Sequence, residues 1–193
     1  MRAFSRSKVK EQYRRELGVL IVDQAYCDAL RFAFEYEKNG EKHYRGAARA
    51  AKDRFAKKAL TFLADEEVEH IRKIDEFNRH LLGESEFDLE TECTLTLSGR
   101  VETFLEESRH AGHIGKERDM NDIDVYDLAM KNEKEGYEMY ASVEKSSADT
   151  RLSCFFGFLA QEEQGNYKLL AASKKYLEDQ SYYFEEGGGW LFS

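Results

Sequence analysis

The sequence contains no proline, the residue that interrupts a helix most strongly, because its ring removes a backbone donor and clashes with the preceding turn. Cysteine is also scarce. Cys27, Cys93 and Cys154 lie far apart, and no two of them form a CxxC pair. A zinc ribbon or a rubredoxin-type iron site therefore cannot be built. From the lack of proline we expect long, unbroken helices. From the scattered cysteines we expect reduced thiols, which are typical of a cytoplasmic protein.

Long apolar runs are missing as well. The N-terminus has no apolar core of signal-peptide length, and Gly18–Val22 is too short to span a membrane, so we expect no membrane contact. The net charge of −9 argues against nucleic acid as a partner. The chain is long enough for one domain. We divide it into a basic N-terminal extension (1–22), a helical bundle (23–180, with a connection at about 84–121) and an aromatic, glycine-rich tail (181–193).

What is present is an apolar helical stripe that contains two ionisable side chains. The segment FLADEEVEH, residues 62–70, places Glu67 and His70 three residues apart, on one helix face with Cβ atoms about 5–6 Å apart. Such a pair can bind one metal ion. The full stripe is Leu63, Glu67, His70, Ile74, Phe77 and Leu81, at alternating steps of four and three residues. A buried carboxylate without a partner is costly, and a cation would satisfy it.

The pattern recurs 96 residues later. FLADEE at 62–67 becomes FLAQEE at 158–163, and EKNGEKHY at 37–44 becomes EKEGYEMY at 133–140. Two separate matches at one offset indicate a duplicated helical hairpin. We predict helices over about 23–51, 53–82 and 122–146 and from 149 onward, with a shorter one at about 99–109. Asp53 and Asp149 are the expected N-caps, and Gly83 is the expected stop of the second helix.

Each long predicted helix carries one glutamate in the middle of its stripe. These are Glu37, Glu67, Glu133 and Glu163; His70 follows Glu67 by three residues, as Asn166 follows Glu163. In antiparallel packing these positions lie at similar heights, so four carboxylates meet in one core. Like charges repel strongly at low dielectric, and two divalent cations would cancel them. An oxygen-rich ligand set with one imidazole favours iron, or possible iron/manganese occupancy, over thiolate-seeking metals.

Four segments resemble, in this order, the helices of rubrerythrin-like proteins of the ferritin-like superfamily: EYEKNGEKHYRGAA, LADEEVEHIRKI, KNEKEGYEMY and LAQEEQGNYKLL. The resemblance covers about residues 25–180. It implies an all-α, ferritin-like four-helix bundle of two duplicated hairpins with a long crossover. It also implies a site for two iron ions, bridged by Glu67 and Glu163, with Glu37, Glu133 and His70 as terminal ligands.

The resemblance further implies a function and a homodimer, since family members often pair through bundle faces. Such sites reduce peroxide or react with dioxygen. Two departures matter here. The family usually has a histidine where this chain has Asn166, whose amide is a weaker ligand, and no cysteine pairs exist for a rubredoxin domain, so turnover requires an external electron donor. A further carboxylate of rubrerythrins proper is here Gly136.

Three functions remain open at this point. The first is a rubrerythrin-type oxidoreductase acting on peroxide or dioxygen. The second is non-enzymatic iron binding or buffering, which lacks rapid re-reduction by a donor. The third is a structural bundle with a degenerate metal site, of which Asn166 is the first sign; it predicts that the four glutamates are protonated or paired with basic side chains.

Several neighbouring residues have two interpretations. Tyr44 and Tyr140 are either core aromatics whose hydroxyls need a partner or donors to metal-bound carboxylates. Gly40 and Gly136 give room for close packing or for a small ligand. We expect the remaining glutamates and histidines near the stripes, and those of the connection, at the surface: Glu41, Glu66, Glu69, Glu162, His43, His80, His110 and His113.

Overall fold

The structure, a computed structural model, describes residues 24–84, 86, 103–104 and 120–178. Its four helices are α1 (Gln24–Ala50), α2 (Arg54–Leu81), α3 (Met120–Ser146) and α4 (Thr150–Glu178). Helix α1 packs mainly against α2, and α3 mainly against α4. Contacts between α2 and α4 and between α1 and α3 join these two hairpins. The predicted all-α four-helix bundle is confirmed.

The ends of the helices lie close to their predicted positions. The Asp53 carboxylate accepts hydrogen bonds from the backbone N–H groups of Phe55 and Ala56, both at 2.8 Å, and so caps α2. At the other end, Gly83 has a φ of 75°, a left-handed conformation that favours glycine and ends the helix. The Asp149 carboxylate accepts from the backbone N–H of Arg151 at 2.9 Å, at the start of α4. Short turns therefore set the two helices of each hairpin antiparallel.

The apolar core of the bundle has two parts with a polar layer between them. Helix α2 contributes its residues 55–64 to one part and 74–81 to the other. Helix α4 runs the opposite way and contributes 169–177 to the first part and 152–160 to the second. The middle segments of both helices, 66–70 and 162–166, carry the buried polar side chains. The antiparallel packing thus brings the two ExxH-like segments to the same height.

Several predictions fall outside the described residues: the N-terminal extension 1–22, the tail 181–193, and His110 and His113 in the connection. Of the helix predicted over 99–109, only residues 103 and 104 are described, and both are helical. The buried Phe104 ring lies 4.7 Å from that of Phe62, measured between ring centroids. None of the helices described is both long enough and apolar enough to cross a membrane.

The cysteines differ from expectation. Cys27 is a free thiol, whereas Cys154 is disulfide-bonded. The expectation of fully reduced thiols is therefore wrong at Cys154. Spacing along the chain could not show this pairing, because the two halves of a disulfide need only meet in space.

Candidate metal centre

The polar layer contains all six of the predicted ligands. Each of them is at most 3% exposed: Glu37, Glu67, His70, Glu133, Glu163 and Asn166. Each helix presents its glutamate at mid-height, and the i,i+3 spacing sets His70 beside Glu67 and Asn166 beside Glu163 on the same helix faces. Burial of so many ionisable groups in one place is costly unless a charge of opposite sign balances them.

His70 lies at the centre of the carboxylates. Its Nδ1 is 3.3 Å from Glu37 Oε2, 3.5 Å from Glu67 Oε2 and 3.6 Å from Glu163 Oε1. One ligand atom from each of these four residues lies within 4.8 Å of the other three. Three carboxylate oxygens that surround one imidazole nitrogen form a donor set suited to a divalent metal ion.

The other ring nitrogen of His70 faces a residue that the sequence interpretation missed. His70 Nε2 lies 3.5 Å from Glu162 Oε2, and Glu162 is only 4% exposed. The expectation that Glu162 and Glu66 are solvated is wrong, since Glu66 is also fully buried. Helices α2 and α4 pack against each other, so the buried face of each is wider than its stripe. Glu66 and Glu162 are equivalent positions of the 96-residue repeat, and this recurrence was the one sign in the sequence that both are buried.

Two tyrosines donate hydrogen bonds to the cluster from across the bundle. The Tyr44 hydroxyl on α1 donates to Glu133 Oε1 on α3, and the Tyr140 hydroxyl on α3 donates to Glu37 Oε1 on α1. Both rings are almost completely buried. The two carboxylates thus satisfy the buried tyrosine hydroxyls, an arrangement that fits both interpretations of these residues.

Two glycines leave room for the carboxylates of the facing helices. A Cβ atom added at Gly40 would lie 3.1 Å from the Glu67 carboxylate. One added at Gly136 would lie 2.8 Å from Glu163 Oε2. A side chain at either position would displace the carboxylate that faces it. The glycines on the stripes are therefore sites of close approach to the polar layer.

Burial raises the pKa of Glu67 well above its usual value, and the nearby charge of Glu37 raises it further. Burial, with the charge of Glu133, raises the pKa of Glu163 well above its usual value, and burial raises that of Glu133. Burial alone would raise the pKa of Glu37, but its hydrogen bond with Glu67 and the charge of His70 bring it below the usual value. Burial opposes the charge on His70, yet the charge of Glu37 outweighs it and raises the pKa of the imidazole. The metal-free cluster thus retains protons that a divalent cation would displace.

The remaining polar atoms test whether a metal pair fits. Among the described residues, Glu67 Oε2, Glu133 Oε2, Glu163 Oε1 and both amide atoms of Asn166 are buried without a hydrogen-bond partner. Buried polar atoms normally have such partners. Carboxylate and amide oxygens in both halves of the cluster are therefore available to cations, and the buried carboxylate and histidine group fits a di-metal site.

The other side chains near the stripes lie further out. Glu41 and Glu69 are partly exposed and pair with Arg45 and Arg72. His43, expected at the surface, is only half-exposed, and its Nε2 is buried without a hydrogen-bond partner. It packs edge-on against Tyr44 and lines a cavity beside the cluster. His43 therefore belongs to the surroundings of the site.

Comparison with known proteins gives one match. The family model described as "Rubrerythrin" matches residues 28–174, a range that includes all six candidate ligands. No curated protein and no solved structure matches the chain.

Proposed function

The chain belongs to the rubrerythrin family, and from that premise we propose that it is a di-iron carboxylate oxidoreductase, which reduces peroxide or reacts with dioxygen using electrons from an external donor. The observation that supports this most strongly is the buried cluster itself. Four glutamates, one histidine and one asparagine meet in the core, with several carboxylate oxygens that have no hydrogen-bond donor. An iron pair held there would supply the electrons that cleave an O–O bond.

In this proposal the chain binds and orients. Glu37, Glu67, His70 and Glu163 would hold one ion, and Glu133 with Asn166 would complete the place of the other. Glu67 and Glu163 would be available to both ions, since each faces a glycine across the bundle that leaves its carboxylate space.

Three buried partners keep the ligands in place. The hydroxyls of Tyr44 and Tyr140 each donate to one oxygen of a terminal carboxylate. Glu162 contacts the ring nitrogen of His70 that faces away from Glu37, and so orients the imidazole. The two apolar parts of the core cover the layer above and below, which keeps water from those two sides and strengthens the electrostatic interactions inside.

Asn166 favours a second candidate, iron binding without catalytic turnover. An amide oxygen is a weaker ligand than an imidazole nitrogen, so iron in that half is held less firmly and is less suited to repeated turnover. In this candidate, ferrous iron is cargo that is bound and oxidised once. The structural alternative predicts protonated glutamates, and the raised pKa values of Glu67, Glu133 and Glu163 in the metal-free protein agree with it. The duplicated stripes, which keep one glutamate on each helix, weigh against it.

One experiment separates these functions. The protein is loaded anaerobically with ferrous iron, desalted and assayed for iron, then mixed with hydrogen peroxide and a reduced small-molecule donor in a stopped-flow instrument. Two irons per chain with repeated oxidation and reduction support the oxidoreductase. One slow oxidation with iron retained supports the iron-binding function, and a folded protein without iron overturns both.

Matched variants show whether the cluster is responsible. Glu67→Ala removes a carboxylate that both ions would share and should abolish iron retention. Glu69→Ala, two residues away and partly exposed in an ion pair with Arg72, should retain it. Equal iron contents in these two variants would place the metal elsewhere.

A further inference from the structure

The duplication allows the two halves of the site to be compared residue by residue. His70 in the first half corresponds to Asn166 in the second half, and Glu37 to Glu133. The compact group of carboxylate and imidazole ligand atoms within 4.8 Å of one another contains Glu37, Glu67, His70 and Glu163, but not Glu133. The first half therefore contributes both its terminal glutamate and its histidine to this group, whereas the terminal glutamate of the second half lies outside it.

Asn166 is suited to a weaker ligand role. It is fully buried, and among the described residues neither its amide oxygen nor its amide nitrogen has a hydrogen-bond partner. An unsatisfied buried polar group is destabilising, and a cation would satisfy the oxygen. An amide oxygen is a weaker electron donor than an imidazole nitrogen, so it binds a divalent ion less firmly and leaves more of the ion's coordination to other ligands.

A half-open cavity reaches the same half of the site. It lies between α1 and α3 and has a volume of about 330 Å³. Three of the carboxylates, Glu67, Glu133 and Glu163, line it, whereas Glu37, His70 and Asn166 do not. These three carboxylates are the ones that, with Asn166, surround the second metal position. That position is consequently the one within reach of solvent.

The opening is one-sided because the duplicated residues beside it differ. Tyr36 precedes Glu37, and its counterpart before Glu133 is the smaller Asn132. The Tyr36 hydroxyl donates to the Asn132 carbonyl at 2.6 Å, and its ring covers Gly136, where an added Cβ would lie 3.0 Å from Tyr36 Cε1. At Gly40 the nearest atoms all belong to Glu67. Gly40, Asn132 and the edge of Tyr36 line the cavity, whereas Gly136, which the Tyr36 ring covers, does not.

We propose that the two metal positions are unequal. The position of Glu37, Glu67, His70 and Glu163 is closed and binds its ion tightly. The position between Glu133, Glu163 and Asn166 is open: it binds its ion more weakly and accepts a small anionic oxygen or nitrogen ligand that passes Gly40. This inference rests on the proposed function only in requiring that the cluster binds divalent ions.

The first test is an anaerobic titration with ferrous iron in which calorimetry measures the binding. The wild-type protein should show two classes of one ion each, with affinities about 10–100-fold apart. Asn166→His should tighten the weaker class by a similar factor and leave the tighter class unchanged. His70→Asn, which gives the first half the ligands of the second, should remove the tight class.

The outcomes of this titration are distinct. The inequality would be overturned if the wild-type protein bound two ions with equal affinity. It would also be overturned if Asn166→His changed only the affinity of the tight class. Either result would leave the proposed function standing. A protein that binds no ion would overturn both. The inequality is supported if Asn166→His tightens the weaker class and His70→Asn removes the tight class.

The second test measures access with azide, a small anion whose binding to ferric iron is followed by absorbance. Asn132→Tyr introduces on the open side a tyrosine equivalent to Tyr36. It should slow azide association by about tenfold without changing the iron content. Tyr36→Asn should not slow it. Lys134→Tyr, at an exposed position of the same helix, is the matched control and should behave as the wild-type protein does. Unchanged azide association in Asn132→Tyr, with iron retained, would overturn the access route.

Discussion

At the scale of single residues, the hydroxyls that serve the cluster cross from one hairpin to the other. Tyr44 in the first hairpin donates to Glu133 in the second, and Tyr140 donates in the reverse direction to Glu37. Each bond occupies one carboxylate oxygen and fixes the direction in which the other points. A hydrogen bond of this kind orients a ligand and sets its basicity. The two hairpins therefore complete each other's ligands.

Removal of either hydroxyl should weaken metal binding in a position-specific way. We expect Tyr140→Phe to reduce the affinity of the tighter ion, and Tyr44→Phe that of the weaker ion, each by about tenfold. Ferrous iron titration of each variant measures this. Tyr137→Phe, at an exposed position of α3, is the control. Affinities equal to those of the wild-type protein in both buried variants would show that the hydroxyls only fill the core.

Glu162 acts on the imidazole and not on the ions. Its carboxylate lies on the side of the His70 ring opposite to Glu37, at 3.5 Å from Nε2. Glu162→Gln keeps the shape and removes the charge, so the ring should lose orientation and basicity, and iron affinity should fall by about 10-fold or more. The test compares it with Glu69→Gln, a partly exposed glutamate in an ion pair with Arg72. If the two variants bind iron equally, Glu162 has no positioning role.

At the scale of the elements, α1 and α3 are each less stable as helices at the polar layer, because each has a glycine there. A glycine inside a helix is about 1 kcal/mol less favourable than alanine. Gly40 and Gly136 occupy helix interiors opposite Glu67 and Glu163, where a methyl group would meet a carboxylate. Gly46, also inside α1, has no neighbouring atom within 4 Å of an added Cβ. The same residue type thus has different roles at these positions.

This contrast provides a matched pair of variants. Gly46→Ala should raise the free energy of unfolding by about 0.5–1 kcal/mol and leave iron binding unchanged. Gly136→Ala should weaken iron binding strongly, because the new methyl group displaces the Glu163 carboxylate and meets the Tyr36 ring. Denaturant unfolding and iron titration measure the two effects. Equal iron binding in both variants would contradict the close approach at Gly136.

At the scale of the whole molecule, the buried charges link stability to pH and to metal. The carboxyl pKa values of Glu67, Glu133 and Glu163 are raised in the folded protein, and so is the pKa of His70. The folded state therefore binds these protons more tightly than the unfolded chain does. Their contribution to stability is complete below the unfolded carboxyl value of 4.5 and is lost as the pH rises through the folded values. The lowered pKa of Glu37 acts in the opposite sense, at lower pH.

The metal-free protein should therefore become less stable as the pH rises from the unfolded carboxyl value of 4.5 through the neutral range. A divalent cation replaces the protons, so it should raise the Tm most at the upper end of this range. Thermal unfolding with and without Mn²⁺ at several pH values measures both effects. Glu163→Gln, which cannot ionise, should flatten the slope of the metal-free protein. A metal-free Tm that climbs steadily over this range would contradict the assignment of the protons to the cluster.

Much of the architecture follows from the sequence alone. The lack of proline and the stripes at steps of three and four predict the long helices, and Asp53, Asp149 and Gly83 predict where they begin or end. These features are local, since they depend on backbone geometry within a few turns. The repeat of 96 residues predicts one glutamate per helix at a common height, because equal spacing in antiparallel hairpins brings equivalent residues together.

Only the tertiary structure decided what surrounds those ligands. A stripe identifies the face of a helix that points to the bundle axis, but not which neighbouring helix covers the sides of that face. The burial of Glu66 and the contact of Glu162 with His70 depend on the packing of α2 against α4. The crosswise tyrosine bonds and the closure of one side by Tyr36 depend likewise on the distance between α1 and α3. The sequence by itself thus determined the candidate ligands, because their spacing within each helix is local. The packing between helices determined their partners and their access to solvent, because those contacts join residues far apart in the chain.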